Sequence, residues 1–118
     1  MSFSLVGNTI TIEQGSTFSL SINWTDSNGA TIDLTSYTAR MQCRVGHAAT
    51  ATVFSLTDAS EITLSDADPN VLITIGAATT AAYDAPLLGV YDLELVSPSG
   101  VVSKILKGEL RIESEVTR

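Results

Sequence analysis

TFSLSINWTDS, residues 17–27, decides the fold class. Phe18, Leu20, Ile22 and Trp24 are apolar, and Ser19, Ser21, Asn23 and Thr25 between them are polar. Alternation with a period of two sends successive side chains to opposite faces of a strand. One face of this strand therefore carries large apolar groups and requires a second layer to cover it. The run closes on Asp26-Ser27-Asn28-Gly29, a sequence that favours a turn.

The same pattern extends along the chain in both directions. Residues 9–13 predict a short strand, and Gln14-Gly15 turns the chain into a long strand over residues 16–25. Residues 32–34 predict a brief extended segment. In residues 37–45, Tyr37, Ala39, Met41, Cys43 and Val45 face one way, and Thr38, Arg40, Gln42 and Arg44 the other. Residues 52–56, 62–64 and 71–75 predict further strands. Ser65-Asp66-Ala67-Asp68-Pro69-Asn70 breaks the chain before the last of these. AATTAAY, residues 77–83, is the one helical piece, about two turns long. Residues 90–96 alternate again, Ser97-Pro98-Ser99-Gly100 makes a hairpin turn, and residues 101–113 form the last strand, with Gly108 marking a bulge. Short strands separated by turns every ~8–12 residues predict a single all-β domain with one short helix, a sandwich or small barrel, and an antiparallel β-sandwich is the expected fold. Phe18, Leu20, Ile22, Trp24, Met41, Cys43, Tyr91, Leu93 and Leu95 are its expected core.

Composition narrows the function classes. At 118 residues, 44 % of them apolar, the chain can bury a core without covalent staples. Thirteen acids against six bases give a formal charge of −7, which repels phosphate backbones and argues against nucleic-acid binding. Lys104, Lys107 and Arg111 are the one local basic group and read as solvated side chains on an outer face. A single cysteine rules out an internal disulfide; Cys43, in the apolar phase of its strand, reads as a buried small hydrophobe. MSFSLVGNTITI lacks the basic and apolar regions of a secretory signal, and no apolar run is long enough to span a bilayer. The expectation is a soluble protein made in a cytoplasm.

No catalytic, cofactor or metal site is expected. His47, the only histidine, lies in a loop of small residues with nothing to orient it. One His and one Cys cannot make the usual zinc sites. Asp66, Asp68 and Asn70 have the D-x-D-x-N spacing that opens a calcium loop. The glycine and bidentate acid such a loop needs further on are Val71 and Ala77 here, so the segment reads as an acidic turn. Asp58 and Glu61 lie nearby in sequence. Asn23-Trp24-Thr25 matches a glycosylation sequon, with no signal peptide to bring it to the modifying enzymes. Aromatics make up 6 % of the chain and sit mostly in the apolar phase, which disfavours a stacking platform for sugars or bases.

IEQGSTFSLSINWTDSNGATIDLTSYTARMQCR, residues 12–44, resembles the opening of a group of small tailed-bacteriophage structural proteins. ITL at 62–64, ITI followed by AATTAAYDA within 73–85, and GVYDLELVSPSGVVSKILKGELRIESEVTR at 89–118 are similar to the group's second half. The chain resembles the N-terminal attachment domain of phage baseplate upper proteins and the stand-alone proteins related to it. The resemblance implies an Ig-like sandwich in which Gln14-Gly15 makes the entry turn and Trp24 anchors the core. Residues 32–35 would cross between sheets, with Asp33 or Thr35 capping the corner, and residues 91–95 would be a central strand. It implies a non-enzymatic virion protein, present in multiple copies, that joins fibres or spikes to a tail, collar or baseplate. Its expected partners are other virion chains, with neither nucleic acid nor membrane, and it would be assembled in the host cytoplasm. A head decoration protein and a carbohydrate-binding adhesion module are the rival expectations. The segments 1–8 and 113–118 read as short arms that reach neighbouring chains.

Overall fold

The computed structural model describes residues 9–46 and 52–116. Among them the chain forms β1 (Ile10–Glu13), β2 (Phe18–Ile22), β3 (Thr38–Arg44), β4 (Phe54–Thr57), β5 (Ile62–Leu64), β6 (Val71–Ile75), α1 (Ala77–Ala81), β7 (Leu87–Val96) and β8 (Val102–Glu113). One sheet runs β1-β8-β7-β3-β4 and the other β2-β6-β5. The chain crosses between the layers after β1, after β2, after β4 and again after β6. That order is an Ig-like sandwich with β4 added at one edge. Every pairing is antiparallel except one: β1 lies parallel to β8, Ile10 opposite Leu110 through Glu13 opposite Glu113. No hairpin links these two strands, so nothing forces them to run in opposite directions.

Alternation delivers the core. In β3 and β7 the inward residues Ala39, Met41, Cys43, Tyr91, Leu93 and Leu95 are all buried, and the ladder sets Met41 beside Leu93 and Cys43 beside Tyr91. From the small sheet come Ile22, Ile62, Val71, Ile73 and Ile75. Three expected core residues are only half-buried: Phe18, Leu20 and Trp24 pack against the cluster from its margin. β2 is an edge strand, so its inner side chains have a neighbour on one side only. Val45, placed inward by its phase, lies past the end of β3 and is 66 % exposed.

Trp24 contacts Tyr37 edge to face, with ring centroids 6.3 Å apart. It closes one end of the sandwich rather than anchoring its centre. A fully buried tryptophan costs roughly 3–5 kcal/mol when truncated, and half-burial brings the expected cost of Trp24→Ala to about 2 kcal/mol. Chemical denaturation should show a folded variant with a lower midpoint.

The long strand expected over residues 16–25 ends at Ile22. Beyond it the side chain of Asn70 replaces a neighbouring strand. Its Oδ1 accepts from the Trp24 N–H at 2.8 Å, and its Nδ2 donates to the carbonyls of Trp24 and Ile32, each at 2.9 Å. Asn70 is completely buried by these contacts. Thr25 and Thr31 then form a single bridge around the Asn28-Gly29 turn, where Gly29 has φ +83°. Asp33 caps the corner that follows, accepting from Thr35 N–H at 3.0 Å and from its hydroxyl at 2.8 Å. The bulge in β8 is not at Gly108, which pairs with Tyr91. It lies where Leu93 opposes Leu106 but Glu94 opposes Lys104, leaving Ile105 as the extra residue. Ile105 and Leu106 are consequently both buried.

The opposite end is closed by the Gln14-Gly15 turn. Gly15 (φ +84°) donates to Thr80 Oγ1 at 3.1 Å, and that hydroxyl donates to the Ser16 carbonyl at 2.8 Å. Gln14 Nε2 donates to the Tyr83 carbonyl, and its Oε1 accepts from the Glu115 N–H. The expected C-terminal arm therefore begins later than residue 113. Glu113 is the last residue of β8, and Glu115 is held against the turn. The other expected arm, residues 1–8, lies outside the described residues.

Candidate interaction surfaces

The two sheets present different outer faces. Arg40 and Arg44 on β3 join Lys104, Lys107 and Arg111 on β8, so five of the six basic residues share the outer face of the five-stranded sheet. The sequence-local group was legible; Arg40 and Arg44 join it only through strand pairing. Arg40 Nε meets Glu94 Oε1 at 2.6 Å, and Lys104 Nζ lies 3.4 Å from Asp92 and 3.6 Å from Glu94. The hydrogen bond from Arg40 holds the Glu94 carboxyl below its ordinary range. A shallow depression of about 350 Å³ lies among Arg40, Gln42, Asp92 and Glu94 on this face. With Glu13, Glu109 and Glu113 on the same face, its charges balance, and the molecule's net negative charge lies elsewhere.

Much of it lies at one end. The loop after β2 carries Asp26 and Asp33, and the β5–β6 turn carries Asp66 and Asp68. The Leu34 N–H to Ser65 carbonyl bond and the Asn70 bonds tie the two segments together. Asn70 does not act with Asp66 and Asp68 as a cation ligand, because its amide is committed to the backbone of Trp24 and Ile32. Asp58 is likewise committed, accepting from the Ala39 N–H at 3.0 Å. Among the described residues no group of three or more His, Cys, Asp or Glu side chains is arranged to hold a metal ion.

Cys43 is fully buried in β3, and burial pushes its thiol up to about 11, so it stays a neutral apolar group at physiological pH. His47 lies outside the described residues. The Asn23 amide of the sequon bonds Thr31 Oγ1 at 3.1 Å. Phe54 and Tyr91 are buried, while Phe18, Trp24, Tyr37 and Tyr83 are half-buried; Phe54 stacks on Tyr83 with centroids 5.3 Å apart. The described residues thus carry no exposed aromatic platform. Among them, no helix is long and apolar enough to cross a membrane.

The remaining surface feature is the edge of the small sheet. β2 pairs with β6 along one side through all five of its residues. Among the described residues no strand pairs with its other side. A groove of about 400 Å³ is lined by Thr11 and Glu13 of β1, by Ser16 and Thr17, and by Phe18 and Ser19 at the start of β2.

No family model and no curated protein matches the chain. A solved structure from a photo-crosslinking study of multimeric cell-adhesive interactions of VGSC beta subunits is similar over 99 % of this chain and 100 % of its own, at 14 % identity and a TM-score of 0.49. Nothing about function is carried from a likeness at that level.

Proposed function

We propose that this protein is a non-enzymatic structural component of a tailed-phage virion, present in several copies and joining fibres or spikes to the tail, collar or baseplate. The observation that carries the reading is the family-like sequence over residues 12–44, whose distinctive residues occupy structural positions. Gln14-Gly15 makes the turn latched to α1, Trp24 closes the loop end, and Asp33 with Thr35 caps the crossover. Such residues specify a scaffold and leave its surface to do the work. The described surface suits that role, since it offers strand edges and a charge-paired sheet face for binding other virion chains. The acidic loop end would meet basic patches on those partners.

The test is to produce an epitope-tagged copy during infection by the encoding phage and purify the particles through a density gradient. The tag is expected in the particle band, with antibody label on the tail structure. Label on the capsid would favour a head decoration protein. Absence of the chain from purified particles would overturn the virion reading. Particles made with a variant lacking residues 1–8 are expected to incorporate less of it, although the variant's β spectrum is unchanged.

A further inference from the structure

We infer that β2 pairs antiparallel with β2 of a second copy of this chain, about a two-fold axis through Ser19. Two three-stranded sheets would thereby join into one of six strands. This does not depend on the virion reading.

The edges of the two sheets are not equivalent. β5 has three residues and β4 four, and the inward side chains of β4, Phe54 and Leu56, are already buried. β1 also has four residues and ends in the charged Glu13. β2 is longer and carries no lysine, proline, charge or bulge, the devices that keep edge strands from pairing. Its inward residues Phe18 and Leu20 remain half-buried, while the residues opposite them on β6, Ile75 and Ile73, are completely covered. The missing cover is therefore local to this edge. Every second residue of β2 also turns its backbone N–H and C=O away from β6, and that row of donors and acceptors matches another strand rather than a compact ligand.

The strand's pattern is self-complementary. With the axis through Ser19, Phe18 of one copy opposes Leu20 of the other, and the reverse holds across the axis. Thr17 opposes Ser21, so polar residues meet polar ones on the opposite face. Residues 16–23 carry no charge, so like charges are not brought together across the ladder. A contact in which the same patch serves both partners closes as a dimer instead of propagating.

Sedimentation of the full chain from micromolar to millimolar concentration tests this. Wild type is expected to pass from monomer to dimer. Leu20→Lys, which puts a charge on the inward side of the edge, is expected to remain monomeric with an unchanged β-sheet spectrum. Ser19→Cys is expected to form a disulfide-linked dimer on mild oxidation faster than Ser55→Cys on β4; Cys43 is buried and does not compete. The proposal is overturned if wild type stays monomeric throughout, which includes the case where the chain's own residues fill the edge. It is also overturned if a folded Leu20→Lys still dimerises, or if Ser19→Cys crosslinks no faster than Ser55→Cys. Should Leu20→Lys fail to fold, the crosslinking comparison decides.

Discussion

Asn70→Ala is expected to unfold this protein at a much lower temperature than the parent. The substitution leaves the part-buried Trp24 N–H and Ile32 carbonyl without their partner, while the Trp24 carbonyl keeps the Ile32 N–H at 3.2 Å. A fully buried group stranded in this way costs roughly 1–3 kcal/mol, and the two partly buried groups together give a loss of about 3 kcal/mol. For a domain of this size that corresponds to a fall of roughly 10 °C in Tm. Asn70→Asp isolates the cause. It preserves shape and the acceptor for Trp24, but sets a carboxylate oxygen against two carbonyls. It should also be destabilised at neutral pH, and less so in acid, where a protonated carboxyl donates one of the lost bonds. Thermal melts of the two variants across pH provide the check, and a parent-like Tm for Asn70→Ala would remove the strut role assigned to this side chain.

Leu93→Ala should cost as much or more, by a different route. Leu93 is inaccessible at the centre of β7, flanked in the ladder by buried Met41 and Leu106. Both neighbours are fixed by main-chain pairing and cannot collapse into the space. Truncations of this kind cost roughly 2–5 kcal/mol, with the higher values where the surroundings cannot relax. The next residue gives the contrast. Glu94 sits on the outer face in an ion pair with a largely solvated Arg40, and removing such a pair by Glu94→Gln is worth only about 0.2–1 kcal/mol. Urea denaturation of the two variants should separate them clearly; equal midpoints would contradict the assignment of inner and outer faces.

Strands that both give and receive pairing along their length were readable from alternation alone: in β3 and β7 the inward and outward residues are those the sequence indicates, up to the end of β3 at Arg44. What alternation does not show is whether a strand has a neighbour on each side, and for that reason Phe18 and Leu20 looked more buried than they are. Asn70 was misleading for a related reason. Its pattern with Asp66 and Asp68 is local, whereas its partner Trp24 lies 46 residues away. The bulge carried a signal that went unused. In Lys104-Ile105-Leu106-Lys107 two apolar residues stand side by side, and the outward phase shifts by one residue between the lysines. That shift locates the extra residue more directly than Gly108 does. As for function, the surfaces described above arise from the fold: Arg40 and Arg44 reach the basic residues of β8 only through the β7 ladder, and the open edge of β2 exists only because the chain crosses to the other sheet.

The parallel pairing of β1 with β8 has a mechanical consequence. The chain enters this pair at Ile10 and leaves it at Glu113, at opposite ends of the ladder. A pull applied through the segments flanking those residues drags the two strands lengthwise past each other. The load falls on the rungs together, in shear, instead of opening them one after another like a zipper. β8 is in turn held along its length by β7, so tension entering at either end passes into the interior of the larger sheet.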